Sequence, residues 1–241
     1  MITKNQIKLI ISLKQKKFRN ENQLFIAEGE KVIRELFNSK FELEHLYCTN
    51  NIFDDLKLNN ITTISQSDLE KISALSTSNN CLGLFRIPRV NSIKKNGLIV
   101  VLDDIRDPGN LGTIIRLCDW FGVNQLVCSN ETVDVFNPKV VQATMGSLKR
   151  VQVNYCDLNE FLLNSDLPIF GTFMDGKNIY KTNLPENAII ILGNEANGIS
   201  NKLENLIKNR LTIPRFGAIQ ETESLNVATA AAIVLSEFRR E

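Results

Sequence analysis

The sequence predicts an α/β fold made of two successive α/β domains, and three observations lead to this prediction. The chain has 241 residues, which at roughly 150 residues per domain corresponds to one or two domains. Apolar residues make up 43% of the chain and charged residues 23%, values typical of a globular protein. From residue 24 onward, short apolar runs alternate with amphipathic segments, and residues 88–96, which have no periodicity, divide the alternation in two.

Residues 1–20 predict a basic N-terminal helix. Thr3-Lys-Asn-Gln6 resembles a capping box, and apolar residues follow at near-helical spacing, so we expect a short amphipathic helix over residues 3–16. The first twenty residues carry six basic side chains and no acidic one, namely Lys4, Lys8, Lys14, Lys16, Lys17 and Arg19.

Residues 21–87 predict a small α/β domain. Its expected strands are Leu24–Ala27, Leu43–Thr49, Ile61–Ile64 and Cys81–Ile87, and its expected helices are Glu30–Asn38 and Ser67–Leu75. Residues 88–96 contain proline and charged residues, and they are interpreted as a linker to the next domain.

Residues 97–241 predict a second α/β domain around a parallel sheet. Leu98–Asp103 opens with an unbroken apolar run, as expected for a parallel strand that is buried on both faces. The other expected strands are Gln125–Cys128, Val151–Tyr155, Pro168–Phe173, Ala188–Leu192 and Leu211–Ile213. The expected helices are Leu111–Phe121, Pro138–Ser147, Leu158–Leu163, Ser200–Lys208 and Leu225–Phe238.

The charge of the chain is balanced overall but uneven locally. The formal net charge is +1, yet residues 1–20, 86–95 and 135–156 contain basic side chains without any acidic one. Basic patches on a neutral protein are typical of a surface that binds a polyanion such as nucleic acid. Ordinary solvated surface remains the alternative for each cluster.

Several classes of chemistry are disfavoured by composition. The chain has one histidine, His45, so a Ser-His-Asp triad or a multi-histidine metal site would have to be built on it. The cysteines are odd in number and form no C-x-x-C pair, which predicts neither a disulfide framework nor a zinc site. No apolar run approaches the ~18 residues of a membrane span, so we expect a cytoplasmic protein without membrane or metal partners. The five cysteines are Cys48, Cys81, Cys118, Cys128 and Cys156.

Three polar, glycine-containing stretches follow strands of the second domain. They are residues 103–122, 192–200 and 213–228. The first brings Asn110 to a turn into a helix that carries Arg116, the second contains Glu195, and the third brings Ser224 and Asn226 to the start of an alanine-rich helix. Each alone is typical of a tight turn and a helix cap. Together, at the carboxyl ends of parallel strands, they predict a ligand site, although phosphate-loop and G-x-G-x-x-G signatures are missing.

In order and spacing, these stretches closely resemble the three motifs of the SpoU/TrmH family of RNA ribose 2'-O-methyltransferases, part of the SPOUT class. The resemblance covers residues 98–241, and residues 20–87 look like the small substrate-binding domain found in many members. It implies a C-terminal trefoil knot, an exception to the usual rules of topology. It also implies S-adenosylmethionine as cofactor, RNA as substrate and a homodimer formed through the knotted domain.

The resemblance also implies which residues form the site. Carried over by position, the polar active-site set is Asn110, Arg116, Glu195, Ser224 and Asn226, and the cofactor loops contain Gly193, Ile213 and Leu225. We expect Arg116 to orient a phosphate of the substrate, because a guanidinium with a pKa above ~12 is a poor general base. Glu195 is either a base or an anchor of its loop. The third motif has Arg215 where methionine is frequent in the family, which leaves the contacts near it open.

The expected function is therefore methyl transfer to an RNA ribose 2'-hydroxyl. The segment Phe25-Ile-Ala-Glu-Gly-Glu-Lys-Val resembles the rRNA-directed branch of the family, which favours rRNA over tRNA. An RNA-binding or ribosome-assembly protein without catalysis, and a small-molecule binder of the same fold, remain alternatives.

Overall fold

A computed structural model describes residues 2–89, 91–217, 219 and 224–240. The chain divides into two compact units. Unit 1 consists of Met1–Val90 together with Asp134–Lys149, and unit 2 consists of Asn91–Val133 together with Arg150–Glu241. Both units are α/β, which confirms the predicted fold class.

Unit 1 is built on a mixed four-stranded sheet in the order β1-β4-β2-β3. Its strands β1 and β4 are antiparallel, as are β4 and β2, whereas β2 and β3 are parallel. The strands are β1 (Leu24–Glu28), β2 (Leu43–Cys48), β3 (Ile61–Thr63) and β4 (Cys81–Arg86), and the helices are α1 (Lys4–Ser12), α2 (Lys16–Asn22), α3 (Glu30–Phe37), α4 (Gln66–Ile72) and α6 (Pro138–Ala143). The core lies between the sheet and these helices, where α1 contributes the buried Ile10.

The N-terminal segment forms two helices, so the prediction of a single basic helix is wrong. The capping box is present, since Thr3 Oγ1 accepts from Gln6 N–H and Gln6 Oε1 accepts from Thr3 N–H. Helix α1 ends at Ser12, and Gln15 adopts an extended conformation before α2 begins. The break lets Arg19 turn back, and its Nη1 donates to the carbonyl of Leu13 at 2.9 Å. Without this donor the Leu13 carbonyl, at the end of α1, would have no hydrogen-bond partner within the helix.

Residues 134–149 belong to unit 1, although the predicted domain boundaries assign them to the second domain. The ring of Phe136 lies 4.7 Å from that of Phe25, and it also packs edge-on against Phe41. Helix α6 ends earlier than predicted because Met145 and Gly146 have positive φ angles of 50° and 92°. The apolar anchor of this segment is therefore an aromatic cluster contributed by the N-terminal part of the chain.

Unit 2 is built on a six-stranded sheet in the order β10-β8-β9-β5-β6-β7, with every pair parallel. The strands are β5 (Leu98–Leu102), β6 (Gln125–Cys128), β7 (Gln152–Tyr155), β8 (Ile169–Asn178), β9 (Ala188–Leu192) and β10 (Asn209–Thr212), and the helices are α5 (Pro108–Trp120), α7 (Leu158–Leu163), α8 (Asn201–Glu204) and α9 (Val227–Phe238). Every residue of β5 and β9 is buried. The prediction of parallel strands covered on both faces is confirmed.

Two regions of unit 2 differ from the predicted elements. Strand β8 is longer than expected because β10 pairs with it in two registers, first at Gly171 and then at Lys177. The segment before β5 is held against the sheet, since Gln125 Oε1 accepts from Lys94 N–H at 2.7 Å and Gln152 Nε2 donates to the Asn91 carbonyl at 2.8 Å. Residues 91–96 therefore belong to unit 2, although the sequence predicts a linker there.

Candidate functional site

The site lies at the carboxyl ends of β5 and β9, the two central strands of the unit 2 sheet. Asp103, directly after β5, donates its N–H to the Leu192 carbonyl at 3.0 Å, and its Oδ2 accepts from Ser200 N–H at 2.7 Å. These bonds join the chain after β5 to both ends of the loop after β9. Ligands of open parallel sheets bind at this edge.

The loop after β9 is closed on itself. Asn194 and Gly198 exchange two backbone hydrogen bonds of 2.9 Å each. The side chain of Asn194 accepts from Ala196 N–H at 2.9 Å and donates to the Asp104 carbonyl at 2.7 Å. A Cβ atom on Gly193 would lie 2.2 Å from the carbonyl carbon of Gly198, so position 193 accepts glycine alone. The loop is thus fixed by its own backbone and by Asn194.

Three of the predicted site residues form a hydrogen-bonded relay. Asn226 Oδ1 caps α9 by accepting from the N–H groups of Ala228 and Thr229, at 2.9 and 3.2 Å. Its Nδ2 donates to Asn110 Oδ1 at 2.9 Å, and Asn110 Nδ2 donates to Glu195 Oε1 at 2.7 Å. Because the helix cap requires the oxygen of Asn226, each amide in the relay has a fixed orientation. The relay therefore ends on Glu195 Oε1, which accepts the hydrogen bond.

Asn110 is positioned by the first turn of α5. Asp107 is the N-cap of this helix, and its Oδ1 accepts from Asn110 N–H at 2.8 Å. Pro108 follows at the first helical position, where a residue without an N–H costs no hydrogen bond. The sequence of this turn thus holds the Asn110 side chain toward the loop after β9.

Arg116 is not part of the relay. It lies six residues after Asn110 on α5, about 9 Å further along the helix axis, and its side chain is exposed. Within the described part of the chain it has no hydrogen-bond or ion-pair partner. The sequence predicts one polar set of five residues. The structure separates it into the three-residue relay, the guanidinium of Arg116, and Ser224, which lies in the wall of the neighbouring pocket.

A pocket of about 980 Å³ opens beside the relay. All three predicted cofactor-binding residues, Gly193, Ile213 and Leu225, line it, and so do Glu195 and Ser224. Asn110, Arg116 and Asn226 do not line it, so the relay reaches the pocket through Glu195. Arg215 also lies in the pocket wall, at the position where the third motif departs from the common form of the family.

The pocket fits the chemistry of S-adenosylmethionine. Its volume is at the upper end of the range for small-ligand sites. Met174 and Leu225, which are 57% and 48% exposed, supply apolar surface for a purine ring. Glu195 supplies an acidic side chain that suits a sulfonium, and Gly193 lies in the same pocket wall. These residues would hold the cofactor mainly through shape and backbone groups.

The remaining reactive side chains are engaged in the fold. Cys48, Cys81, Cys118 and Cys128 are buried, as predicted, and Cys156 is half-buried. Burial raises the pKa of the Cys118 thiol to about 12, so it carries no thiolate near neutral pH. His45 lies on the inner strand β2 of unit 1, where its Nε2 pairs with Thr62 Oγ1 at 2.9 Å and burial lowers its pKa.

The described residues contain no cluster of three or more histidine, cysteine, aspartate or glutamate side chains arranged to hold a metal ion. Among the helices they form, none is both long and apolar enough to cross a membrane.

Two residues that position the site were missed at the level of sequence. Asn194 braces the loop after β9, and Asp103 ties that loop to β5. Their local signal is an Asx residue at the end of an apolar strand, which is also the signal of an ordinary turn. A positioning residue is distinguished from an ordinary turn residue only by its distant hydrogen-bond partner. That partner lies 90 residues away for Asn194 and 97 residues away for Asp103.

Comparison with known protein families gives two matches that together span most of the chain. A model of the SpoU rRNA Methylase family matches residues 97–236, which is more than half of the chain. A model of the MRM3-like substrate binding domain matches residues 4–83.

Individual proteins are similar over nearly the whole length. The 23S rRNA (guanosine(2553)-2'-O)-methyltransferase RlmP of Bacillus subtilis is 28% identical over 235 residues, which cover 94% of this chain and 93% of that protein. A solved TrmH-family structure from Porphyromonas gingivalis has a TM-score of 0.90 and 36% identity, with 99% and 98% of the two chains covered. The AdoMet-bound rRNA methyltransferase from Sinorhizobium meliloti has a TM-score of 0.86 and 26% identity, with 99% and 95% covered.

Proposed function

The chain belongs to the SpoU rRNA methylase family, and on that premise we propose that it transfers a methyl group from S-adenosylmethionine to a ribose 2'-hydroxyl of rRNA. The observation that carries this proposal is the relay of Asn226, Asn110 and Glu195 at the edge of the 980 Å³ pocket.

Arg116 is the residue that we assign to the substrate. Its exposed guanidinium has no partner among the described residues, so all of its donors are available to a phosphate. S-Adenosylmethionine, when bound, supplies a methyl group on a positively charged sulfur. Arg116 orients the ribose beside that methyl group and stabilises the negative charge that develops on the 2'-oxygen.

Glu195 is the residue that we assign to the proton of the 2'-hydroxyl. Its Oε1 is held by Asn110, and none of the described residues donates to its Oε2. The relay therefore fixes one oxygen and leaves the other able to accept a hydrogen bond from a ligand in the pocket that Glu195 lines. Ser224, in the same wall, supplies a neutral hydrogen bond for the incoming nucleotide.

The substrate that we propose is rRNA rather than tRNA. The Bacillus subtilis relative, which is similar over nearly the full length, is named for 23S rRNA. The substrate-binding domain match over residues 4–83 supports a separate RNA-binding unit. With rRNA as the substrate, we also propose that the protein works in the cytoplasm.

Two further features follow from family membership as proposals. We propose that residues 97–241 are threaded as a trefoil knot and that two copies associate through this part of the chain. The family match over residues 97–236 supports both. Sedimentation of the full chain at several concentrations tests the dimer.

Two measurements test the proposed function. Calorimetry on the full-length protein should detect binding of S-adenosylmethionine or of its demethylated product. Mapping of 2'-O-methyl groups on rRNA from cells with and without the protein should reveal one lost position. If neither compound binds, the enzymatic proposal is wrong. If both bind but the rRNA maps are identical and a tRNA position is lost, the assignment to rRNA is wrong.

A further inference from the structure

Two buried hydroxyl groups lie beside the site, in the loop after β6. They belong to Ser129 and Thr132, which are 5% and 2% exposed. Strand β6 is parallel to β5 and pairs with it, so this loop opens at the same edge of the unit 2 sheet as the loop after β5. A buried hydroxyl is unfavourable unless it is hydrogen-bonded, so the partners of these two groups show what they stabilise.

Both hydroxyls contact the backbone of the loop after β5. Ser129 Oγ accepts from Asp104 N–H at 3.0 Å. Thr132 Oγ1 accepts from Ile105 N–H and donates to the Leu102 carbonyl, both at 3.3 Å. The two hydroxyl oxygens lie 3.2 Å apart, so they form one polar cluster. This cluster therefore binds two successive N–H groups of the loop after β5.

Asp104 has a backbone conformation that needs such support. Its φ angle is 56°, in the left-handed region that a residue with a side chain rarely adopts. Such a conformation persists only where the surrounding structure fixes it. Ser129 binds the N–H of Asp104, and Asn194 Nδ2 donates to the carbonyl of Asp104 at 2.7 Å. The conformation of Asp104 is thus fixed through both of its backbone polar groups.

Both ends of the last hydrogen bond in the relay depend on Asp104. On one side, Asn194 is bound to the Asp104 carbonyl and directly precedes Glu195. On the other side, Asp107 follows three residues later, and its Oδ1 accepts from Asn110 N–H at 2.8 Å. A change in the backbone of Asp104 would therefore move Asn110 Nδ2 and Glu195 Oε1, which lie 2.7 Å apart, relative to each other.

An ordinary turn after β6 would use these hydroxyls differently. The local bond of this turn runs from Thr132 N–H to the Ser129 carbonyl at 3.2 Å and involves neither side chain. The hydroxyls of serine and threonine in turns usually bind backbone groups a few residues away. Here the side-chain bonds span 25 residues to Asp104 and 27 residues to Ile105. Their use across the sheet indicates that they position the loop after β5.

We propose that Ser129 and Thr132 are positioning residues for the methyl transfer, because their hydroxyls fix the loop after β5 in the conformation on which the relay depends. Neither residue lines the 980 Å³ pocket, so both act through the backbone of Asp104. This inference rests on the proposed function, because it takes the relay to serve methyl transfer. A displacement of about 1 Å at a reacting group can slow a reaction about a hundredfold.

Two variants of Thr132 separate the hydroxyl from the packing of the side chain. Thr132→Val keeps the shape and loses the hydroxyl, so kcat for rRNA methylation should fall between about tenfold and a hundredfold, with KM for rRNA unchanged. Thr132→Ser keeps the hydroxyl and should retain most of the parental kcat. The reverse order, a slow serine variant and a fast valine variant, would show that packing alone matters and would overturn the proposal.

Ser129→Ala tests the second hydroxyl, and Ser73→Ala is the matched control. Ser73 is also a buried hydroxyl, in unit 1, where its Oγ donates to Glu28 Oε2 at 2.6 Å. Both variants should lower the melting temperature, whereas only Ser129→Ala should lower kcat, by about tenfold or more. A parental kcat in Ser129→Ala, or an equal loss of kcat in Ser73→Ala, would contradict a positioning role.

A double variant tests whether Ser129 acts through Asp104. Ser129 and Asn194 bind the two backbone groups of that residue, so their effects should not be independent. The kcat of the Ser129→Ala, Asn194→Ala double variant should be close to that of the slower single variant. Losses that multiply in full would mean that the two residues act separately and that the proposed mechanism is wrong.

Hydrogen exchange measures the same support without any activity. The N–H of Asp104 should exchange faster in Ser129→Ala than in the parent, and that of Ile105 faster in Thr132→Val. Unchanged exchange would refute the inference. If the variants methylate rRNA at the parental rate, the positioning role is wrong and the methyltransferase assignment is unaffected. If the parent binds no S-adenosylmethionine, the proposed function itself fails, and exchange still shows whether the hydroxyls fix the loop after β5.

Discussion

One arginine in each unit shows two opposite uses of a guanidinium. In unit 1 the guanidinium of Arg19 is 2% exposed, and its donors are taken up by the carbonyls of Leu13 and Lys14 and by the carboxylate of Asp134. In unit 2 the guanidinium of Arg116 is exposed and unpaired among the described residues. Both arginines lie within helices, Arg19 in α2 and Arg116 in α5, and no local sequence signal tells the two apart.

Burial and the use of hydrogen-bond donors distinguish a structural polar group from a functional one. A buried charge whose hydrogen bonds are all made within the protein holds the fold, and its loss is a loss of stability. An exposed charge held by a rigid helix, with its donors unused, contributes little to stability and is available to a ligand. Asn226 differs from both arginines because it has a structural and a functional role at once. Its oxygen caps α9, and its N–H donates to Asn110 in the relay.

Removal of the Arg116 side chain should have the largest effect. Arg116→Ala should lower kcat/KM for rRNA about a thousandfold, because a preorganised charge that meets the transition state is lost. S-Adenosylmethionine affinity should stay within a few-fold, and the melting temperature should not change. Arg116→Lys should also be poor, since an ammonium cannot make a bidentate contact with phosphate. Lys202→Ala, another exposed cation of unit 2, is the control. Near-normal turnover by Arg116→Lys would contradict the clamp.

Arg19→Gln tests the other half of the comparison. It should reduce the free energy of unfolding by about 3 to 5 kcal/mol, because Asp134 keeps a largely buried charge without its partner. Chemical denaturation measures this change. Lys17→Gln removes an exposed pair with Glu21, 3.9 Å apart, and should leave stability unaltered. Equal stability of the two variants would show that burial of Arg19 contributes nothing.

Glu195→Gln distinguishes the two roles open to this residue. A proton acceptor predicts that kcat falls about a hundredfold while S-adenosylmethionine still binds. If Glu195 instead anchors the loop after β9, S-adenosylmethionine affinity should fall, and the methylation rate of the cofactor-bound enzyme should change less. Single-turnover methylation and calorimetry on the same variant separate them.

Asn226 can be divided into its two roles by a pair of variants. Asn226→Asp keeps an oxygen to cap α9 but has no N–H to donate to Asn110, so kcat should fall about tenfold at nearly unchanged stability. Asn226→Ala loses both contacts, so it should show a similar kcat and unfold at a cost of about 1 kcal/mol. Full activity in the aspartate variant would mean that the direction of the relay is unimportant.

The smallest expected effect concerns the basic N-terminal segment. Lys4 and Lys8 are exposed on α1, whereas Arg19 is buried and is removed from the set of candidate RNA contacts. Replacing Lys4 and Lys8 with glutamine should make the salt dependence of rRNA binding shallower by up to about 0.7 per lysine. S-Adenosylmethionine affinity should be unchanged. Superimposable salt slopes would place the RNA path elsewhere.

Local signals determined most of the secondary structure. The apolar runs of β5 and β9 predict buried parallel strands, and the structure has them with the predicted starts. The capping box at Thr3 is present for the same reason, since its partners lie three residues apart. Where the interacting residues are neighbours in sequence, the pattern contains the whole interaction.

The candidate site was predicted as a set of residues, and the arrangement of that set came from the structure. Asn110 is 85 residues from Glu195 and 116 residues from Asn226, so no local pattern could pair them or exclude Arg116 from the relay. Likewise, no local pattern could assign residues 134–149 to unit 1, because their anchor there is an aromatic contact with Phe25.

The α/β class, the two apolar central strands and the three polar stretches after the strands can be predicted from the sequence, because they depend on periodicity and on neighbouring residues. The tertiary structure alone decided which arginine is buried, where the basic helix breaks and how the amides of Asn110 and Asn226 point. The physical reason is that burial and hydrogen-bond direction depend on partners brought together by packing, and a buried polar group must find such a partner wherever it lies in the chain.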